Sequence, residues 1–120
     1  MRSEQPWLVP FLRRVSLRPR QILGREDVRA LAAFLEAYGS IRRDAGLPPL
    51  PFAEGQLLEG LHAWLVRRYG LRGLDLWEVV ERIDPSATNL WTFLDCFDEF
   101  LSRELRVPGI RHAGVTTYPV

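Results

Sequence analysis

Apolar residues recur at helical spacing in four successive stretches of this 120-residue chain, each closed off by proline or glycine. At about 100° per residue, Val28, Leu31, Ala32, Phe34, Leu35, Tyr38 and Ile41 fall on one half of a helix. Leu57, Leu58, Leu61, Trp64, Leu65 and Tyr69 do the same, as do Leu76, Trp77, Val79, Val80 and Ile83. The most aromatic stretch puts Leu90, Trp91, Phe93, Leu94, Phe97, Phe100 and Leu101 on one side. Thr92, Asp95, Glu99, Ser102, Arg103 and Arg106 lie opposite. A one-sided helix must bury its apolar face against another element. Four of them joined by short links predict an all-α fold, a compact bundle of about five helices.

Proline and glycine place the boundaries. A short helix is expected over Pro10 to Val15. A second is expected from Arg25 to Asp44, ending at Gly46 with Pro48-Pro49 beyond, and a third from Phe52 to Tyr69 with Gly70 as its cap. A fourth is expected over Leu74 to Ile83. The fifth is expected to start at Asp84-Pro85, a capping residue followed by proline, and to run to Leu105 before Pro108-Gly109. Residues 1–106 then form one helical domain. Residues 107–120 form an irregular or extended C-terminal tail, because Val115-Thr116-Thr117-Tyr118 favours extended backbone and one strand makes no stable sheet alone. The tail is expected to pack over the domain, with docking on a partner as the alternative.

Composition narrows the class. Hydrophobic residues make up 47% of the chain, which excludes disorder. No apolar run approaches the roughly 18 residues that span a bilayer, so no membrane association is expected. Trp7-Leu8-Val9-Pro10 is too short and interrupted for a signal peptide, and the single cysteine, Cys96, cannot form an internal disulfide. The expected compartment is the cytoplasm. A formal charge of +1 gives no global field toward nucleic acid or anionic lipid. All sixteen basic residues are arginine, so lysine-base and Schiff-base chemistry are excluded.

The residues that could carry chemistry are scattered. His62, Cys96 and His112 lack the short spacings of a zinc site, so no metal is expected. Asp95 and Asp98 flank Cys96, and carboxylates suppress a thiolate. No serine sits in a Gly-x-Ser-x-Gly elbow, and no glycine-rich phosphate loop is present. The chain is therefore not expected to be an enzyme or to hold a cofactor; an enzyme of unrecognised type, which would need a deep pocket with convergent polar groups, stands as an alternative. Four charges do fall inside apolar arcs: Arg42, Arg68, Asp98 and Glu104. Arginines near helix ends can lay their stems along apolar surface and keep the charge in water. Asp98, at mid-helix, calls for a partner, with Arg18 or Arg42 the natural choice.

Two surfaces are candidates for partner binding. The N-terminal arm carries Trp7, Arg13 and Arg14, with Arg18, Arg20 and Arg25 following. The exposed face of the last helix carries Asp95, Glu99 and Arg103. Another protein is the expected partner, and an exposed tryptophan would suit such an interface. A homodimer is compatible with this. Nucleic acid is the alternative, through the N-terminal arginines, but no helix-turn-helix pattern stands behind them.

Arg18-Pro19-x-x-x-Leu23-Gly24 reads as an ordered turn, since Pro19 fixes its own φ and Gly24 permits a positive one. Arg25-Glu26-Asp27 is then expected to place carboxylates in the first turn of the second helix. That turn is followed by Leu31, Phe34, Leu35 and Tyr38, by Phe52, Trp64-Leu65 and Tyr69, by Trp77 and Ile83, and by an aromatic acidic helix with Phe97, Asp98 and Phe100. In this order the landmarks resemble a group of small uncharacterised bacterial helical proteins, some of them similar to immunity proteins that neutralise partner toxins. The likeness spans residues 11–105. Ala37 stands where that group usually has glycine before the tyrosine, and Ile22 where an aromatic is common before Leu-Gly. The resemblance implies a binding role and brings no catalytic residue.

Overall fold

The computed structural model describes residues 7–107 and Ile110. Among them are six α-helices and no strand: α1 (Leu8–Leu17), α2 (Pro19–Leu23), α3 (Val28–Asp44), α4 (Phe52–Tyr69), α5 (Leu76–Ile83) and α6 (Leu90–Phe100). A π-helical turn, Leu101–Leu105, continues α6. Five of these helices have eight residues or more; four stand where the periodicity marks them, and α1 extends the short helix expected over Pro10 to Val15 by two residues at each end. The Cα radius of gyration is 14.5 Å, close to the ~14 Å of a compact chain of this length. The tail expected over 107–120 lies outside the described residues except for exposed Val107 and buried Ile110.

Helix α6 is the centre of the bundle and packs against α1, α3 and α4; α5 closes over α3 and α4. Phe93, Leu94 and Phe97 of α6 are fully buried and meet Leu8, Leu12 and Val15 of α1, Val28 and Leu31 of α3, and Leu61 and Leu65 of α4 in one core. The spacings are those of single apolar stripes, so each helix presents one face inward. Helices α4 and α6 come close because Gly60 has no side chain: a Cβ there would meet the Phe100 ring at 3.0 Å.

The Arg18–Gly24 turn is a one-and-a-half-turn helix, with Pro19 at its first position and Gly24 at φ +85° closing it. Helix α3 starts at Val28 rather than Arg25, because Asp27 is extended and its carboxylate accepts the Ala30 N–H at 2.9 Å as an N-cap. Glu26 therefore precedes the helix. Its carboxylate accepts Trp91 Nε1 and Arg20 Nε, both at 2.7 Å, and these bonds hold its pKa below the usual carboxylate value. Helix α4 has the predicted bounds, ended by Gly70 in the left-handed region. Helix α5 starts two residues later than expected, behind a capping box of Asp75 and Glu78.

The expected helix start at Asp84-Pro85 is not formed. Asp84 ends α5 instead, and its carboxylate accepts the Ser86 N–H and the Thr92 hydroxyl, so a local Asx turn outcompetes the helix. Buried Asn89 secures that loop: its Oδ1 accepts the Val28 N–H at 2.7 Å and its Nδ2 donates to the Asp84 carbonyl at 3.0 Å. Helix α6 then begins at Leu90.

The charges inside apolar arcs divide. Arg68 stays partly exposed, with its guanidinium paired to Glu99, whereas Arg42 is buried and its Nε donates to the Pro48 carbonyl at 2.7 Å. Buried Asp98 accepts a hydrogen bond from the backbone N–H of Ile110, which ties the start of the tail to α6.

Candidate interaction surfaces

The N-terminal candidates are built into the fold more deeply than a free arm would be. Trp7 is half-buried; its backbone N–H donates to Glu54 Oε1 at 3.0 Å, and its ring lies 5.3 Å from Phe11 and 4.5 Å from Tyr38. Trp7 thus joins α1, α3 and α4 rather than standing out as an exposed anchor. Arg13 is half-buried, and its shielded Nε meets no acceptor among the described residues; Arg14 is exposed. Arg20 pairs with Glu26 at 2.7 Å and Arg25 with Asp27 at 2.8 Å, so part of the basic cluster is matched by its own neighbours.

The α6 candidates are brought together with a residue the sequence did not connect to them. Glu99 Oε2 accepts from Arg68 Nη1 of α4 at 2.8 Å and from Arg103 Nε of the π turn at 3.0 Å. The bond to Glu99 raises the Arg68 pKa. The Arg68 guanidinium also lies 5.1 Å from the Trp64 ring. Asp95, one turn before Glu99, is exposed. A groove of about 310 Å³ beside these groups is lined by Trp64, Arg67, Arg68, Arg103 and Glu104.

Cys96 lies behind this face, and its thiol is pushed up to about 11 by burial first, then by Glu99 and Asp95, with Arg68 opposing. From an ordinary value of 9.0, a shift of that size lowers the thiolate fraction about a hundredfold near neutral pH. A thiolate of higher pKa is a better nucleophile, which offsets part of this, so disulfide exchange with Ellman's reagent at pH 8 is expected to be about tenfold or more slower in the folded protein than in the urea-unfolded chain. A ratio below about threefold would contradict the burial of the thiol. The sign for stability follows: above pH 9.0 the unfolded chain loses this proton first, so stability declines as pH rises from 9.0 toward about 11.

A wider groove was not anticipated. It holds about 620 Å³ between α3, the 48–50 turn, α4 and α5. Leu35, Leu58 and Trp77 are its apolar floor, with Ala32, Ala33, Pro49 and Leu50 along its sides. The Trp77 ring rests on Phe93 of α6 at 5.6 Å, which fixes the floor to the core. Arg29, Glu36 and Asp75 line the rim. Arg29 is already engaged by both oxygens of Glu81, at 2.8 and 2.7 Å, and that bond raises the Arg29 pKa and lowers the Glu81 pKa. Glu36 and Asp75 carry no ion pair among the described residues, so the rim has a surplus of negative charge. A second, smaller groove lined by Ile22, Leu23, Ala30 and Phe34 meets the first at Ala33.

Among the described residues no group of three His, Cys, Asp or Glu side chains could hold a metal ion. His62 Nε2 lies 2.7 Å from the Leu74 carbonyl, and His112 is outside the described residues. No helix among them is long and apolar enough to cross a membrane. Comparison with protein-family models, with curated proteins and with solved structures finds no match to this chain.

Proposed function

We propose that the chain is a protein-binding module with no catalytic chemistry of its own, and that the groove beside α3 is its contact surface. One observation carries the reading: an apolar floor of Leu35, Leu58 and Trp77 lies open beneath the carboxylates of Glu36 and Asp75, while the one rim cation, Arg29, is held by Glu81. A partner that fits is a protein segment laying apolar side chains on the floor with an arginine or lysine beside them. The likeness to immunity proteins adds a special case: the segment belongs to a toxin, and the complex forms in the cytoplasm and blocks it.

The test is capture of partners from the native host with the tagged chain, after nuclease treatment, alongside the variants Ala33→Arg and Glu36→Arg. Both positions are exposed on α3, and arginine suits a helix. One stoichiometric partner is expected on the wild-type chain, weakened about tenfold or more by each variant, which corresponds to about 1.4 kcal/mol. Equal binding by both variants overturns the groove as contact surface. In the immunity case the partner alone arrests growth and co-expression of the chain relieves the arrest; a harmless partner removes that case and leaves the module.

A further inference from the structure

The groove between the C-terminal end of α4 and the π turn is built for an anion, and we propose that it binds carboxylate side chains of an acidic protein segment. This surface is separate from the α3 groove and carries the opposite charge.

Three guanidiniums line it, those of Arg67, Arg68 and Arg103. Two of them converge on a single oxygen of Glu99, at 2.8 and 3.0 Å. A guanidinium has five N–H donors in a planar fork. Glu99 takes one from Arg68 and one from Arg103, and Arg67 has no acceptor among the described residues. The rest are left to solvent or to a ligand. Arg68 is also fixed by the faces of Trp64, at 5.1 Å, and Tyr69, at 5.8 Å. An arginine already ordered loses less freedom when an anion arrives. Glu99 thus gathers the cations in the way an incoming carboxylate would.

The backbone gives an independent pointer. Leu101–Leu105 is the π-helical turn, and Arg106 directly after it has φ +55°, alone among the described non-glycine residues in being positive. A positive φ is uncommon outside glycine, and strained positions collect at functional sites, as π turns do. The two adjoin in the segment that carries Arg103 into the groove.

The form of the site selects the class of partner. Its lining has three positive groups against Glu104, with Glu99 behind them, a surplus of one. A groove of about 310 Å³ takes one or two oxyanion groups, not a backbone of repeating phosphates, which needs a longer basic track. Trp64 offers an apolar wall for the methylenes of a glutamate.

The experiment follows the arginine Nε–H signals by NMR while titrating the full chain with an N-acetylated tetraglutamate amide at low salt. A thymidine oligonucleotide of equal charge is titrated in parallel. Saturable shifts of the Arg67, Arg68 and Arg103 signals are expected with the peptide, weakened about tenfold by Arg67→Ala and less by Arg67→Lys, which keeps the charge but loses the fork. Arg67 is exposed at the end of α4, so both variants keep the fold. The proposal is overturned if the peptide shifts none of these signals, if Arg67→Ala binds it as well as the wild type, or if the oligonucleotide binds more tightly. None of these outcomes touches Ala33 or Glu36, so this site stands or falls apart from the α3 groove.

Discussion

Phe97→Ala is expected to lower the unfolding free energy by about 3–5 kcal/mol, the range for truncating a fully buried phenylalanine. Phe97 is fully buried in the central helix α6. Its ring meets Phe93 edge-on at 5.7 Å and Phe100 at 6.3 Å. The line of rings continues to Trp77 of α5 at one end and to Trp64 of α4 at the other. Truncation removes the transfer free energy of a phenyl group and leaves a cavity that three packed helices cannot close. A domain of this size has only about 5–15 kcal/mol in total, so the variant sits near the edge of folding. Phe34→Ala is the control: Phe34 is 36% exposed and stacks on Phe11 at 4.7 Å, so about 1 kcal/mol is expected. Urea denaturation of the two variants checks this. Equal effects would contradict the placement of α6 at the centre.

Asn89→Ala is expected to cost about 2–4 kcal/mol, although it deletes only one small polar group. Asn89 bridges the first residue of α3 and the residue that ends α5; its bond to the Val28 N–H is buried and its bond to the Asp84 carbonyl is partly so. Alanine leaves the buried Val28 N–H unpaired, at a desolvation penalty of about 1–3 kcal/mol, and also removes the bond to the partly buried Asp84 carbonyl. Denaturation gives the total, and hydrogen exchange gives the place: the Val28 amide is expected to exchange faster than other α3 amides. A loss under about 1 kcal/mol would show that the bridge is replaced by water.

Helix α4 and the 84–89 loop show what the sequence discloses and what it hides. Pro51 and Gly70 bracket α4, and its bounds follow from these local signals. At 84–89 the local signal misleads, because the residue that decides the loop, Asn89, finds its partner 61 positions away at Val28. Glu26 is similar: next to Asp27 it reads as a first-turn acid, yet its carboxylate is claimed by Trp91, 65 positions on. The surfaces divide the same way. The pairing of Glu99 with Arg103 is an i, i+4 relation, and the exposed face of α6 was legible from its periodicity. The part played by Arg68 depends on α4 crossing α6, and the α3 groove needs four segments at once, so neither leaves a mark in the one-dimensional pattern. Trp7 was misplaced for a related reason: its acceptor, Glu54, is 47 residues distant.

The central claim is that a protein partner occupies the α3 groove, and backbone hydrogen exchange of the chain alone and in complex with its captured partner tests it most directly. The amides of residues 29–36 in α3, of Leu50 and of 75–77 at the start of α5 are expected to slow together on binding, since these segments line the groove. Slowing confined to other surfaces, with these three segments unchanged, would contradict it.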